Sequence, residues 1–230
     1  MKTQDMVRHC IQCCINSYEE EYGPTVKIFD NPIKFKIKHT EGHYGILDNT
    51  LYFVFQGSKE NSDWKDNCKV WHKDVRKTKP YGNLHTNVEI HAGFMEQYQI
   101  VRPFIHKIVK EYDTIHKIVC TGHSLGGALS QLCAVDIQFN FPDAILTNIN
   151  FGSPRVGNKA FMESYNRRVP LSYRFVNGRD IVPMVPLAIF GYYHAGLLLL
   201  IGERPWYKIF STDDHYPDKY QKNYEKSLTE

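Results

Sequence analysis

The sequence lacks any apolar run long enough to cross a bilayer as a helix. The most conspicuous, Leu197-Leu198-Leu199-Leu200-Ile201, has five residues, against the roughly 20 that a spanning helix needs. It also lacks a strong excess of either charge: 28 Lys and Arg against 25 Asp and Glu leave +3, with a pI near 8.4. That bias is too small to call for nucleic acid. No internal repeat or low-complexity segment is visible. Residues 1–10 contain no uninterrupted apolar segment, so a reducing compartment, cytoplasmic or otherwise intracellular, is the expectation. His9, Cys10, Cys13 and Cys14 have no second ligand group at matching spacing, and they read as one face of a helix rather than a metal centre.

What is present is an ordinary globular composition. With 230 residues and 42% hydrophobic side chains, the chain suits one α/β domain spanning 1–230. Residues 4–20 have the apolar spacing of an amphipathic helix. Val26–Phe29, Ile33–Lys38, Tyr44–Leu47 and Leu51–Phe55 read as strands, with Asp48-Asn49-Thr50 as a turn. Phe94, Tyr98, Val101, Ile105, Ile108 and Tyr112 recur every three or four residues, which predicts a helix that Pro103 kinks or divides. Strand and helix then alternate: strands near 118–121, Ile145–Phe151 and Leu171–Val176, helices after the first and near Lys159–Asn166. Alternation of this kind predicts a mostly parallel central sheet flanked by helices.

The chemistry centres on Gly122-His123-Ser124-Leu125-Gly126-Gly127, between the β-branched run Ile118-Val119-Cys120-Thr121 and a helix-forming stretch. A serine at such a strand-to-helix turn stands clear of its neighbours, and glycines two residues either side relieve the crowding. The helix that follows offers free N–H groups and a positive dipole end to developing negative charge. Ser124 is therefore the candidate nucleophile, and the N–H of Leu125 a candidate oxyanion donor.

A serine hydroxyl needs a base, and the base an orienting carboxylate. Asp180 sits in Asn177-Gly178-Arg179-Asp180 at the end of a strand, where it could orient a base or cap a turn; Asp136 and Asp143 read as solvated. His194 and His215 both follow it. His215, in a polar loop near the C-terminus, is favoured over His194, which leads into the leucine run.

Six segments in order carry a family resemblance. They are Phe55-Gln56-Gly57-Ser58, Asp63-Trp64, His91-Ala92-Gly93-Phe94, Thr121–Leu129, Phe151–Asn158 and Asn177–Pro183. From about Tyr44 onward the chain resembles the fungal-type, or class 3, lipases. The resemblance implies an α/β-hydrolase fold, with Ser124 as nucleophile, Asp180 as acid and His215 as base. It also implies Ser58 and Leu125 as the oxyanion pair through their backbone N–H groups, with structural roles for His91 and His194. Gln56 stands where the family usually has arginine. Trp64, His123 and Leu187 are candidate substrate contacts, although core packing is the first reading of the Leu197–Leu200 strand. Lys59–Asn67 corresponds to a lid; it is polar apart from Trp64, which predicts weak interfacial activation.

The implied activity is carboxylester hydrolysis of acylglycerols or other fatty-acyl esters, without metal or cofactor. The implied partners are an ester or lipid substrate and a transient lipid surface, with no nucleic acid and no protein partner in evidence. A phospholipase or acyltransferase using the same residues, and a non-catalytic binding module on the same fold, are the alternatives.

Overall fold

The structure is a computed structural model that describes residues 2–18, 29, 32–58, 76–78 and 87–229. Helix α1 (Thr3–Asn16) buries Val7, Cys10, Ile11 and Cys14, a stripe at three- and four-residue spacing. Strands β1 (Ile33–Ile37), β2 (Thr40–Leu47) and β3 (Thr50–Phe55) form an antiparallel meander. Asp48 and Asn49, at φ 49° and 54°, supply the left-handed pair of residues that suits the twist of the β2–β3 hairpin.

Two short strands, β4 (Lys77–Thr78) and β5 (Ile90–His91), pair apart from the main sheet. Beyond them β3 continues into a parallel array made by β6 (Lys117–His123), β7 (Ile145–Phe151), β8 (Leu171–Asn177) and β9 (Leu197–Ile201). The order across the sheet is β1-β2-β3-β6-β7-β8-β9. Leu51, Phe53 and Phe55 join the core under helices α2 (Ala92–Glu111), α3 (Leu125–Asn140) and α4 (Lys159–Arg168). Tyr52 and Val54 face the other layer, with α1 and the C-terminal helix α5 (Pro217–Ser227). Burial on both faces is why the strand reads as an unbroken apolar run.

Parallel register brings the ends of β3, β6, β7 and β8 to one edge, with Phe55 beside Gly122 and His123 beside Phe151. The loops leaving that edge are where an α/β fold assembles a site.

Several expectations change. Pro103 does not divide α2; both Pro103 and Gln99, whose carbonyl loses its usual partner, are exposed, so water can take the place of the missing N–H. Asp136 is buried rather than solvated. It accepts from Tyr98 Oη, Arg102 Nε and His106 Nε2 at 2.7 to 3.0 Å, a charge network between α2 and α3. Three leucines of β9 are not core, Leu197, Leu198 and Leu200 being 61%, 44% and 51% exposed, while Leu199 is half-buried against the α1 layer; β9 is an edge strand with less cover than the strands inside the sheet. The expected strand at Val26–Phe29 lies, apart from Phe29, outside the described residues.

Candidate active site

Ser124 ends β6 and precedes α3, with φ 59° and ψ −127°. A non-glycine residue in that left-handed region is strained, and its neighbours show what holds it. A Cβ at Gly122 would collide with the backbone of Gly126, and one at Gly126 with the Phe55 carbonyl. The turn can therefore close only with glycine at both places. Ser124 N–H donates to the Phe151 carbonyl at 2.9 Å. Its Oγ is buried and has no hydrogen-bond partner among the described residues.

Asp180 and His215 meet. His215 Nδ1–H donates to Asp180 Oδ2 at 2.7 Å, with both side chains almost fully buried. Asp180 thus fixes the tautomer that presents His215 Nε2 as the acceptor. Asp180 Oδ1 accepts from Val182 N–H at 2.9 Å, so the carboxylate caps its own turn and orients the His215 ring at once. The loop carrying His215 is docked from below: Arg179 N–H donates to Asp214 Oδ2 and Asn177 Nδ2 to the Asp214 carbonyl, both at 2.8 Å. His194 lies elsewhere. Its Nε2–H donates to the Pro183 carbonyl at 2.7 Å, and burial with nearby Arg174 and Arg155 holds its pKa well below the usual histidine range.

His123 differs from its expected role. It is fully buried. Its Nε2–H donates to the His215 carbonyl at 2.7 Å, and its Nδ1 accepts from Tyr18 Oη at 2.8 Å. Both ring nitrogens are spent on the protein, so neither can meet a substrate. The ring lies 4.5 Å, centroid to centroid, from that of His215, and burial together with His215 keeps it neutral.

Leu125 opens α3, where the first N–H groups have no partner within the helix. Ser58 follows Gly57 just beyond the end of β3, the strand next to β6. Leu187 is half-buried before the turn at Ala188–Phe190. Trp64 and the Lys59–Asn67 segment lie outside the described residues. His91 is buried, and its Nδ1 accepts from Phe94 N–H at the start of α2.

Two residues of the site escaped sequence reasoning. Tyr220 Oη donates to Asp180 Oδ2 at 2.6 Å; the four-residue spacing of Tyr220 and Tyr224 behind Pro217 was the available signal for the helix that carries it. Gly152, at φ 59°, leaves room for the acid–base pair: a Cβ there would stand 2.8 Å from Asp180 Oδ2 and 2.9 Å from His215 Cε1.

A lipase of Rhizomucor miehei is 36% identical over 163 residues, 66% of this chain and 42% of that protein. A protein of Fusarium solani named secreted mono- and diacylglycerol lipase 1 is 38% identical over 160 residues, 66% of this chain and 45% of its own. The chain thus spans about half the length of the curated relatives it matches. The crystal structure of a lipase from Rhizopus microsporus var. chinensis superposes with a TM-score of 0.73 at 26% identity, over 92% of this chain and 85% of that one. The shared architecture is the α/β-hydrolase fold.

One expectation is overturned by these relatives. The intracellular compartment rested only on the composition of residues 1–10, and the Fusarium protein is secreted by name. Residues 52–190 match the family model described as lipase (class 3), a stretch that runs from β3 through the turn at Ser124 and past Asp180 and takes in more than half of the sequence. The chain belongs to the class 3 lipase family.

Proposed function

We propose that this chain is a serine carboxylester hydrolase that cleaves acylglycerols or other fatty-acyl esters through an acyl-enzyme, working outside the cell, with residues 1–230 as one domain. The observation that carries the reading is the buried pair of Asp180 and His215, 2.7 Å apart, on the same sheet edge as a serine held in a strained turn.

In this reading Ser124 Oγ bonds to the ester carbonyl carbon as its proton passes to His215 Nε2, and Asp180 compensates the imidazolium. The N–H groups of Leu125 and Ser58 hold the oxyanion, each worth about 10²–10³ in rate. Collapse breaks the bond to the alcohol, which leaves with the proton from His215. Water, deprotonated by the same histidine, then releases the acid and restores the serine. The missing hydrogen bond on Ser124 Oγ fits a resting state in which nucleophile and base close up only around substrate.

The relatives' names support acylglycerol esters as the substrate class. Half-buried Leu187 and exposed Phe190, on the loop after β8, support an acyl contact there. Exposed Trp206, Tyr207, Ile209 and Phe210 support transient contact with a lipid surface. The test is labelling of purified protein with an alkyl organophosphonate, expected to add mass at Ser124 and to abolish ester hydrolysis. A Ser124→Ala variant that hydrolyses a soluble acyl ester at the unaltered rate would overturn the proposal.

A further inference from the structure

β8 and β9 close the sheet on its parallel side, and their outer loops enclose a cavity of about 210 Å³ lined by Arg174, Arg179, Arg204 and His194. Arg174 is only 6% exposed. Its register partner on β9 is Leu198, and no carboxylate pairs with it among the described residues. Three buried polar atoms around this cavity have no hydrogen-bond partner among the described residues: Arg174 Nε, Arg179 Nε and His194 Nδ1. The Arg179 Nη2 is engaged, donating to the carbonyls of Arg204 and Pro205.

A buried, unpaired guanidinium is strongly unfavourable unless an anion completes the pair. Asp180 also lines the cavity, yet it cannot serve. Its Oδ1 is taken by Val182 N–H and its Oδ2 by His215 and Tyr220. The remaining lining changes character toward solvent, where Leu198 and Leu200 are 44% and 51% exposed and Ile209 76%.

We infer that this cavity binds the phosphate-monoester headgroup of a single-chain amphiphile, with the phosphate oxygens against Arg174 and Arg179 and the alkyl chain leaving along Leu198, Leu200 and Ile209. Guanidinium groups suit phosphate oxygens in number and direction. A phosphate offers three anionic or acceptor oxygens to the two guanidiniums where a fatty carboxylate offers two, and His194 Nδ1, an acceptor because Nε2 carries the proton given to Pro183, can take the P–OH of the monoanionic fraction. The site is separate from the serine and stands whether or not the chain hydrolyses esters. Asp180 forms the wall between the two.

The test is calorimetric titration of the purified full chain with dodecyl phosphate below its micelle concentration, beside dodecanoate, inorganic phosphate and dodecyl maltoside. Dodecyl phosphate is expected to bind at least roughly tenfold more tightly than the other three, as the loss of charge-assisted bonds or of chain burial predicts. Arg174→Met, which keeps length and apolar packing, should weaken dodecyl phosphate at least tenfold. Leu198→Glu, at an exposed position that places a carboxylate in register with Arg174, should do the same while keeping the fold. Unchanged affinity in both variants would overturn the site. Equal binding of dodecanoate or maltoside would overturn the phosphate assignment, and equal binding of inorganic phosphate would overturn the amphiphile.

Discussion

Tyr220 Oη donates to Asp180 Oδ2 at 2.6 Å, the same oxygen that His215 Nδ1 engages at 2.7 Å. A phenol so placed fixes the carboxylate against the imidazole it orients. Tyr220→Phe removes that donor and leaves Asp180 Oδ2 held by His215 alone, so the pair is less firmly positioned. A hydrogen bond to a charged group contributes about 1.5–3 kcal/mol, so kcat is expected to fall roughly 10- to 100-fold. A loss of stability with unchanged kcat would show that the tyrosine only fills space.

Gly152 separates packing from chemistry. An alanine there would bring its Cβ against Asp180 Oδ2 and His215 Cε1 and would sit at φ 59°, so the acid–base pair must part. Gly152→Ala is expected to lower kcat by about two orders of magnitude or more, since small misplacements of reacting groups carry costs of that size. Circular dichroism should show the fold retained, and steady-state kinetics give the effect. An active variant with wild-type kcat would mean that the pair tolerates separation.

The elbow turn and the succession of strands and helices along the chain were legible because each is written locally. Ser124 lies between Gly122 and Gly126, both required by backbone approach, and Ile118-Val119-Cys120 is a short apolar run. What the sequence did not disclose depends on distant partners. Asp136 looks like a surface carboxylate until α2 brings Arg102 and His106 to it. His123 looks like a group beside the serine until Tyr18 and the His215 carbonyl, from opposite ends of the chain, take its two nitrogens. Leu197–Leu200 has the composition of a core strand, and only the sheet order reveals it as an edge.

The His123 arrangement carries its own consequence. Its Nε2–H anchors the backbone of His215, so it acts as a positioning residue through the base. His123→Phe keeps the ring's bulk and removes the donor, leaving the His215 carbonyl unpaired; kcat should fall about tenfold with little change in KM for a soluble ester. Tyr18→Phe, one bond further away, should have a smaller effect of the same kind. A raised KM with unchanged kcat in His123→Phe would instead restore the ring to substrate contact.

Stability should depend on pH through buried histidines away from the catalytic pair. Burial lowers His9 to about 4 and His43 to about 3, against about 6.5 in the unfolded chain. Below pH 6.5 the unfolded state therefore binds more protons than the folded one, so stability falls as pH falls. The decline should run from about 6.5 to about 4 for His9 and on to about 3 for His43, at about 1 kcal/mol per pH unit for each ring. Denaturant titrations between pH 7.5 and roughly 4 measure it. His9→Phe, whose ring can keep the contacts with Phe29 and Tyr52, should flatten the upper part of the curve; an unaltered slope would assign the dependence to other groups.

The loops at the ends of β8 and β9 carry several exposed apolar side chains. Trp206 is 90% exposed, Ile189 82%, Ile209 76% and Tyr207 74%, and all four lie on loops at the same sheet edge as Ser124. Aromatic and aliphatic side chains of this kind enter the headgroup region of a lipid surface. The polar sequence Lys59–Asn67, which resembles the family's lid, predicts little rate jump at an interface, whereas this rim predicts that the chain still adsorbs to one. The two effects separate experimentally. Trp206→Ala with Tyr207→Ala should reduce adsorption to triacylglycerol emulsions about tenfold, while hydrolysis of a dispersed short-chain ester stays within twofold. A matching loss on both substrates would place the rim in acyl binding, and no loss on either would leave adsorption to another face.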